Sequence, residues 1–293
     1  MELFIAQLIN GLSSGSIYAL VALGYTMVYG IVKLINFAHG DVIMVGSFII
    51  FFAVNNMGLP FIPSVIIAMI GCAVLGVLME KIAYKPLRKA SRLSALITAI
   101  GLSLFLQNVF LVGLNRDSYP FPAFSGREPI TLFGDVTISY LAIITISVSA
   151  LMMVLLQLFV KGTKMGKAMR AVSEDAGAAS LMGINVNTTI AITFAVGSAL
   201  AAVGSALHSS TFPVIDPFIG AQMGLKAFVA AVLGGIGIIP GAMLGGILLG
   251  IIESMTRAYI STQLSDAVVF SILIIVLLLK PSGLMGKAVG EKV

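Results

Sequence analysis

Long apolar stretches without a charged residue recur along this chain of 293 residues, and they limit its fold more than any other feature. The hydrocarbon core of a bilayer is about 30 Å thick and takes about 20 apolar residues per helix. Because 59% of the residues are hydrophobic and only 10% are charged, the composition is typical of an integral membrane protein. We therefore predict an all-α, polytopic membrane protein with about eight spans, in a range of roughly seven to ten, in one transmembrane domain over 1–293.

Basic residues collect in the regions 81–92, 161–170 and 280–292, which hold five, four and three Lys or Arg. Cytoplasmic loops of membrane proteins are enriched in Lys and Arg, so we expect these regions, including a loop over 161–186, at the cytoplasmic face. The loop 114–137 carries three prolines and more acidic than basic residues, and is expected outside. This orientation makes the N-terminus external and the C-terminus cytoplasmic. It also explains the net charge of +5 without nucleic acid as a partner.

The membrane spans follow from these anchors. They are predicted at 4–32, 41–56, 61–80, 94–113, 138–160, 187–208 and 264–279. Between the last two, the segment 221–257 contains Gly234, Gly235 and Gly237, followed by Pro240, and such residues break helices. The segment is therefore predicted as a broken pair, either two short transmembrane helices or a re-entrant hairpin. Broken backbone at membrane depth persists where it is buried in protein or lines a cavity, so the three glycines are candidates for a hinge or a translocation path.

Polar side chains within the apolar stretches are further candidates for the path or hinge. Asn36, His39 and Asp41 lie between the first two spans, and Gln107 and Asn108 lie within the fourth. Polar groups at membrane depth are costly unless they are paired or solvated, which favours a cavity lining. One alternative is that Asn36 and Asp41 cap helix ends near the cytoplasmic surface. Another is that Gln107 and Asn108 form hydrogen bonds between helices.

The residues needed for catalysis do not occur in a recognisable pattern. A membrane enzyme would need a nucleophile with a base, paired carboxylates, or metal ligands at helical spacing. The two histidines, His39 and His208, are far apart, and "GTKMGK" at 162–167 has neither the spacing of a phosphate-binding P-loop nor a Ser or Thr after its last Lys. We expect no enzyme, and no metal or cofactor bound by this chain. If ATP and Mg²⁺ power it, they bind to partner subunits.

One charged segment separates two apolar stretches: "GKAMRAVSEDAGAASLMGI", residues 166–184. Thr163 can cap a first short helix, and Ser173 can cap a second helix with two acids in its first turn. Gly183 can end that second helix. The segment is predicted either as a solvated cytoplasmic connection or as a docking element for a partner protein.

Two side-chain patterns within this segment bear on docking. An apolar stripe at helical spacing consists of Met169, Val172, Ala176 and Ala179. Small residues of this kind would let a partner approach closely, and charges would set the register of the contact. Arg170 and Glu174, four residues apart, are expected to face each other on the opposite side.

Three motifs carry a resemblance to a known family. "GKAMRAVSEDAGAASLMGINV", "INFAHGD" and "VLGGIGIIPGAMLGG" occur at 166–186, 35–41 and 232–246. Together they resemble the hallmarks of the inner-membrane permeases of branched-chain amino acid ABC importers, the LivH/LivM type. The hydropathy of the whole chain is similar to that family, and the three motifs stand in the same order.

The resemblance implies a permease subunit in a bacterial plasma (inner) membrane that translocates leucine, isoleucine or valine. It implies as partners a second, homologous permease in a heterodimer, two cytoplasmic ATPase subunits and an extracytoplasmic substrate-binding protein. It also implies that the charged loop supplies a short cytoplasmic coupling helix that contacts an ATPase. The coupling residues carried over are Gly166, Arg170, Glu174, Asp175, Ala178, Ala179, Leu181 and Gly183. The alternative function is a secondary transporter or channel for a small neutral solute such as urea or an amide.

Overall fold

Helices form almost all of the structure, a computed structural model that describes residues 2–114, 118–122, 129–133 and 136–286. In chain order the α-helices are α1 (Glu2–Val32), α2 (His39–Asn55), α3 (Phe61–Met79), α4 (Arg92–Leu114), α5 (Tyr140–Gly162), α6 (Lys164–Glu174), α7 (Ala176–Leu181), α8 (Val186–Thr211), α9 (Ile219–Gly234), α10 (Ile239–Tyr259) and α11 (Ser265–Leu279). A π-helical turn, Glu80–Tyr84, extends α3, and a 3₁₀ turn, Pro86–Lys89, precedes α4. Outside the described residues lie, within the predicted external loop, residues 115–117, 123–128, 134 and 135. Lys287 and Lys292 of the third basic region lie outside them as well.

Six of the described helices are long and apolar enough to cross a bilayer. They are Glu2–Val32, Phe61–Tyr84, Leu93–Leu114, Tyr140–Gly162, Val186–Thr211 and Ile239–Tyr259. Three shorter apolar helices, α2, α9 and α11, accompany them. Together they fall within the predicted range of roughly seven to ten spans, and the all-α, polytopic membrane fold is confirmed.

The helices differ in how deeply they are buried within the protein. Of the 18 most apolar consecutive residues in each helix, 78% are buried in α1 and 72% in α8, against 22% in each of α3, α4 and α5. α1 and α8 therefore form the centre of the bundle. The outer helices expose large apolar side chains such as Ile97, Leu104 and Val154, a surface suited to lipid.

Glycines allow the central helices to approach closely. Gly11 and Gly15 of α1 face Gly246 and Gly250 of α10, and a methyl group at Gly15 would lie 2.9 Å from the carbonyl oxygen of Gly246. Without a hydrophobic driving force between helices in lipid, such close backbone contact is a main source of association. The seam between α1 and α10 is the most extensive helix contact in the described structure.

Short strands join two connections at one end of the bundle. β1 (Tyr119–Pro120) pairs antiparallel with β4 (Val214–Ile215). A hairpin of β2 (Ile130–Phe133) and β3 (Val136–Ile138) lies beside the beginning of α1. All four strands belong to connections at the end predicted to be external, so two connections distant in sequence cover the same end.

The described parts of the three basic regions lie together at the opposite end. Arg88 donates a hydrogen bond of 2.6 Å to Oδ1 of Asn187, next to the α7–α8 connection. After α11, the backbone N–H of Leu284 donates to the carbonyl of Leu233 at the end of α9 over 2.9 Å. The bundle is therefore consistent with the prediction that the basic regions share one end and the loop 114–137 lies at the other. Which end is cytoplasmic stays a prediction.

Two triplets of helices, α1–α2–α3 and α8–α9–α10, have matching contacts. α1 packs on α10 as α3 packs on α8, and α2 packs on α3 as α9 packs on α10. The same backbone hydrogen bond opens both short helices, from His39 N–H to the Asn36 carbonyl (3.1 Å) and from Ile219 N–H to the Asp216 carbonyl (3.3 Å). Since α1 and α8 run in opposite directions, the triplets have the geometry of the inverted repeats found in many transporters.

The predicted broken pair is α9 and α10, but its two halves are unequal. α9 has 16 residues and α10 has 21, whereas the sequence suggested similar short pieces. Gly235 and Gly237 adopt φ values of 107° and 95°, which reverse the chain between them. Pro240 occupies the first turn of α10, where its missing N–H costs no helical hydrogen bond. The turn lies near Gly30 at the end of α1, so α10 extends along the whole bundle.

Candidate functional site

The chain between α1 and α2 turns back into the bundle before α2 begins. Lys33 adopts a left-handed φ of 56°, and Asn36, which is buried, accepts a hydrogen bond of 2.6 Å at Oδ1 from the Tyr84 hydroxyl. α2 then starts at His39, whose buried ring lies 4.8 Å from the ring of Tyr25, centre to centre. The His39 Nε2 has no hydrogen-bond partner among the described residues. The first turn of α2 is thus held inside the protein.

Asp41 connects this first turn to α4. Gln107 donates hydrogen bonds from Nε2 to Oδ1 of Asp41 over 2.8 Å and to the Ser103 hydroxyl over 3.1 Å. The other carboxylate oxygen of Asp41 is buried without a partner within the described ranges. Asn108 instead donates to the carbonyl of Leu104 in its own helix over 2.8 Å and is exposed. The predicted interhelical hydrogen bond is therefore confirmed for Gln107 and wrong for Asn108.

The alternative that Asn36 and Asp41 cap helix ends near the surface is wrong. The N-cap of α2 is Ala38, which makes no side-chain capping bond. Both polar side chains bond to other elements inside the bundle, because α2 begins beside Gly24, well before the end of α1.

The beginnings of α2 and α9 meet in the interior. Gly40 and Gly220 are in backbone contact, and a methyl group on either would overlap the backbone of the other. Gly224 packs against the same residue, Gly40, on the next turn of α9. Two helix N-termini thus converge beside His39 and Asp41. Such discontinuous helices often form solute sites in transporters. The assignment of polar side chains to a translocation path stays a prediction for Asn36, His39, Asp41, Gln107 and Asn108.

The glycine turn lies away from this interior cluster. Gly234 and Gly241 pack directly against each other, and the N–H of Met285 donates to the Gly234 carbonyl over 3.1 Å. Gly237 is exposed and lines a cavity of about 250 Å³ that also includes Arg170 and Glu174. The structure therefore places Gly237 beside the charged loop, with Gly234 and Gly235 in the same turn. Their role as a hinge or in a translocation path stays a prediction.

The charged loop forms two helices with well-defined ends. The Thr163 hydroxyl accepts the N–H of Gly166 over 3.0 Å, as predicted for the first cap. The second cap is Asp175, whose Oδ1 accepts the N–H of Ala178 over 2.9 Å. The prediction of Ser173 as the second cap is wrong, because its hydroxyl donates back to the Arg170 carbonyl over 2.7 Å.

The end of α7 has the predicted glycine. Gly183 has a φ of 83°, and its N–H donates to the Ser180 carbonyl over 3.0 Å. The N–H of Ile184 donates to the Ala179 carbonyl, also over 3.0 Å. These two bonds form a Schellman motif, which satisfies the last carbonyls of the helix. α7 is short but fixed at both ends.

Three of the four residues of the apolar stripe pack against the protein's own bundle, and the fourth, Ala176, is exposed. Met169, Val172 and Ala179 are buried, at 3%, 3% and 4% exposure, with α6 lying on α1, α5 and α8. Arg170 and Glu174 form no ion pair with each other in the described structure, and the Arg170 guanidinium reaches the Lys161 carbonyl at 3.4 Å. Glu174 ends α6 and does not begin the next helix, contrary to expectation.

The surface that α7 presents to solvent is different. Ala178 is exposed, and Leu181 and Met182 are 90% and 83% exposed. The buried stripe therefore anchors the loop, and the exposed end of α7 is left for contact outside this chain. Sequence reasoning included Leu181 among the coupling residues but missed Met182, which only its exposure identifies.

A charge cluster lies between α9, α10 and α11. The buried Glu253 accepts a hydrogen bond of 2.6 Å from Lys226 and another of 2.7 Å from the Tyr18 hydroxyl. Arg257, one turn further along α10, pairs with the same carboxylate, and Lys226 also lies 2.8 Å from Asp266. Glu253 and Arg257 are four residues apart, a spacing that indicates side-chain pairing on one face of a helix. No three His, Cys, Asp or Glu side chains within the described ranges are grouped to hold a metal ion.

Comparison with known proteins finds matches over nearly the whole chain. The family described as "Branched-chain amino acid transport system / permease component" matches residues 7–277. BraD of Pseudomonas aeruginosa, a "High-affinity branched-chain amino acid transport system permease protein", is 45% identical over 303 residues, covering 99% of this chain and 98% of BraD. LivH of Escherichia coli K12, of the same description, is 45% identical over 306 residues, with coverage of 99% and 98%.

More distant relatives agree with this. A "Probable branched-chain amino acid transport permease protein LivH" of Methanocaldococcus jannaschii is 28% identical over 290 residues, covering 92% of this chain and 89% of its own. Among solved structures, a chain of PsaBC from Streptococcus pneumoniae in complex with Fab covers 94% of this chain and 90% of its own at 14% identity. Its TM-score of 0.45 is too low to carry an argument. From the family match and the 45% identities over nearly its whole length, the chain belongs to the branched-chain amino acid transport permease family.

Proposed function

We propose that this chain is a permease subunit of an ATP-binding cassette importer and that it translocates leucine, isoleucine and valine. The observation that carries the proposal is the 45% identity, over 99% of the chain, to BraD and LivH, whose names assign them to high-affinity branched-chain amino acid transport. A buried centre within apolar outer helices is consistent with a transport path through the bundle.

The proposed complex contains two cytoplasmic ATPase subunits that bind ATP and Mg²⁺, a second homologous permease and an extracytoplasmic binding protein. The segment 162–167 supports separate ATPases, since it has no P-loop spacing. Only Thr163 separates α5 from α6, which leaves no loop to surround a phosphate. Energy therefore comes from a partner and reaches this chain through contact.

α7 is the proposed contact with an ATPase. Leu181 and Met182 are almost fully exposed and adjacent at its end, and contiguous exposed apolar side chains mark interaction sites more often than single ones do. The cap at Asp175 and the Schellman motif at Gly183 hold the helix in shape. A rigid helix with an apolar tip can seat in a cleft of a partner protein.

α6 is the proposed connection from that contact to the bundle. Its buried residues Gly166, Met169 and Val172 pack on the core, and a methyl group at Gly166 would collide with the backbone of α5 near Val160. Displacement of α7 would therefore move α6 with the end of α5 and the adjacent α1. A ligand shifts a conformational equilibrium only by binding its two states differently, and an ATPase that opens and closes on α7 meets that requirement.

In the proposed cycle, ATP binding closes the ATPases and pushes α7. The bundle then changes from an inward-facing to an outward-facing state and receives the amino acid from the binding protein. Hydrolysis returns the bundle to the inward-facing state and releases the amino acid to the cytoplasm.

Charge reversal on the loop tests this proposal. The double variant Glu174→Lys with Asp175→Lys removes a cap and both negative charges, so we expect ATP-dependent leucine uptake to be lost while membrane insertion is kept. The matched control, Glu174→Gln with Asp175→Asn, removes the charges but keeps a capping side chain, since Asn caps about as well as Asp. Uptake by reconstituted vesicles is the measurement. Wild-type uptake in the lysine variant would contradict coupling through this loop.

The alternative function, a secondary transporter or channel for a small neutral solute, predicts a different result. Vesicles that contain the permease without ATPase subunits would then take up urea or an amide. The importer predicts that ATPase subunits copurify with this chain and that leucine uptake requires ATP.

A further inference from the structure

A polar cavity opens at the end of the bundle that carries β1 and β4. It has a volume of about 260 Å³ and lies between the beginnings of α1 and α5 and the ends of α8 and α10. This volume corresponds to roughly nine water molecules at about 30 Å³ each, which is enough for a solute the size of an amino acid. By the predicted orientation the cavity opens to the outside.

One wall of the cavity carries opposite charges on a single helix turn. Glu253 and Arg257 of α10 both line it. The side chain of Glu253 is only 3% exposed, and its carboxylate accepts hydrogen bonds from Lys226 and the Tyr18 hydroxyl. The guanidinium of Arg257 is 39% exposed and uses one nitrogen, Nη2, on Glu253. An arginine has five N–H donors and a carboxylate about four acceptor positions, so both groups retain hydrogen-bonding capacity.

The facing wall on α1 carries polar side chains without partners. Asn10, Ser13 and Ser14 line the cavity, and none makes a side-chain hydrogen bond to the described residues. Ser13 is only 6% exposed. The next serine in the same helix, Ser16, donates to the carbonyl four residues earlier over 2.7 Å. Because polar groups as buried as the Ser13 hydroxyl generally have a hydrogen-bond partner, this hydroxyl is arranged for a solute or water in the cavity.

The remaining wall carries apolar side chains beside the polar Ser139 and Thr211. Leu141 and Ala142 at the start of α5 and Phe212 after α8 line it, and Phe212 is 45% exposed. The cavity therefore combines a cation, an anion, neutral hydroxyls and an aliphatic surface within one small volume.

We propose that this cavity binds a free aliphatic α-amino acid as a zwitterion. Arg257, with the hydroxyl of Ser13, binds the α-carboxylate, and Glu253 accepts a hydrogen bond from the α-ammonium group. Leu141 and Phe212 contact the aliphatic side chain. The proposal rests on the proposed function and adds to it the place where this chain first holds its substrate.

Cysteine protection in the full transporter tests the proposal. Cys72, the chain's single cysteine, is buried, so Ser14→Cys introduces one reactive thiol into the cavity. We expect L-leucine to slow its reaction with a membrane-impermeant maleimide by about tenfold when leucine is at about ten times its dissociation constant. 4-Methylpentanoate, which lacks the ammonium group, and leucinamide, which lacks the carboxylate, should protect far less. Gln263→Cys, exposed at the same end outside the cavity, should react equally with and without leucine.

The outcomes separate this proposal from the proposed function. Leucine uptake by the same vesicles without protection of Ser14→Cys overturns the cavity alone. Equal protection by all three compounds overturns recognition of a zwitterion. Absence of ATP-dependent leucine uptake by the unmodified transporter overturns the proposed function, leucine import. If Ser14→Cys does not transport, Asn10→Cys, at an exposed position on the same wall, takes its place.

A second measurement addresses the arginine. Arg257→Gln should raise the leucine concentration for half-maximal uptake by about tenfold, which corresponds to about 1.4 kcal/mol, and Arg257→Lys should recover part of the loss. Arg88→Gln is the matched control, because Arg88 also pairs with a buried glutamate, Glu80, but at the other end of the bundle. An equal rise in both glutamine variants would show that ion-pair loss, and not substrate binding, explains the effect.

Discussion

At the scale of single residues, the interior of the bundle is organised by polar groups that bond between helices. Asp41 and Gln107 are 66 residues apart and are joined by a 2.8 Å hydrogen bond in the buried interior. Asn36 and Tyr84 form a similar pair over 2.6 Å. Lipid offers no alternative partner to such groups, so each pair favours one arrangement of its helices.

Replacement of Gln107 tests the value of this pairing. Gln107→Leu leaves Oδ1 of Asp41 without its donor, so we expect the free energy of unfolding to fall by about 1–3 kcal/mol. Asn108→Leu, one residue further on, affects only a bond within its own helix at an exposed position, and should change stability by about 0.5 kcal/mol or less. Thermal unfolding of the purified transporter measures both. Equal losses of stability in the two variants would show that the hydrogen bond between α2 and α4 contributes no more than a bond within one helix.

The sequence predicted part of this chemistry. An amide within an apolar span indicates a hydrogen bond between helices, and Gln107 makes one. The partner could not be predicted, because spacing along the chain does not say which helix faces meet. For the same reason Asn108, next to it, was wrongly grouped with Gln107: it lies on the outer face of α4.

At the scale of helices, the contact between α1 and α10 depends on glycine. A methyl group at Gly246 would overlap Ala19 of α1. Gly246→Leu should therefore force the helices apart, at a cost of about 1–3 kcal/mol or more, and lower the yield of folded protein in detergent.

Gly101 of α4 provides the matched control for that variant. A methyl group there meets nothing within 4 Å, so Gly101→Leu should leave the yield and the melting temperature close to those of the wild type. Size-exclusion chromatography before and after heating compares the two variants. Similar losses in both would mean that glycine matters here for a reason other than helix contact.

The charged loop shows how far local signals reach at this scale. Thr163 and Gly183 were predicted as helix ends because capping depends on the nearest few residues. Ser173 was mistaken for a cap, since Asp175, two residues later, competes for the same role and takes it. The apolar stripe was expected to face a partner, but Met169, Val172 and Ala179 are buried, with α6 packed on α1, α5 and α8.

At the scale of the whole molecule, the orientation in the membrane can be tested with two cysteines. Ser180→Cys in α7 and Gln263→Cys before α11 are exposed at opposite ends of the bundle, and the native cysteine is buried. By the positive-inside rule, an impermeant maleimide added to intact cells should label Gln263→Cys only. Ser180→Cys should react after the membrane is opened. The reverse pattern would invert the topology.

The sequence by itself determined the class of the protein, the positions of its membrane helices and which connections share an end. These depend on local composition, because a helix in lipid needs a long apolar run and loops do not. The tertiary structure alone decided that α2 and α9 begin inside the bundle and that Asp41 meets Gln107. The physical reason is that the lipid-facing and core-facing surfaces of a membrane helix are both apolar, so hydrophobic periodicity does not reveal which side packs inward.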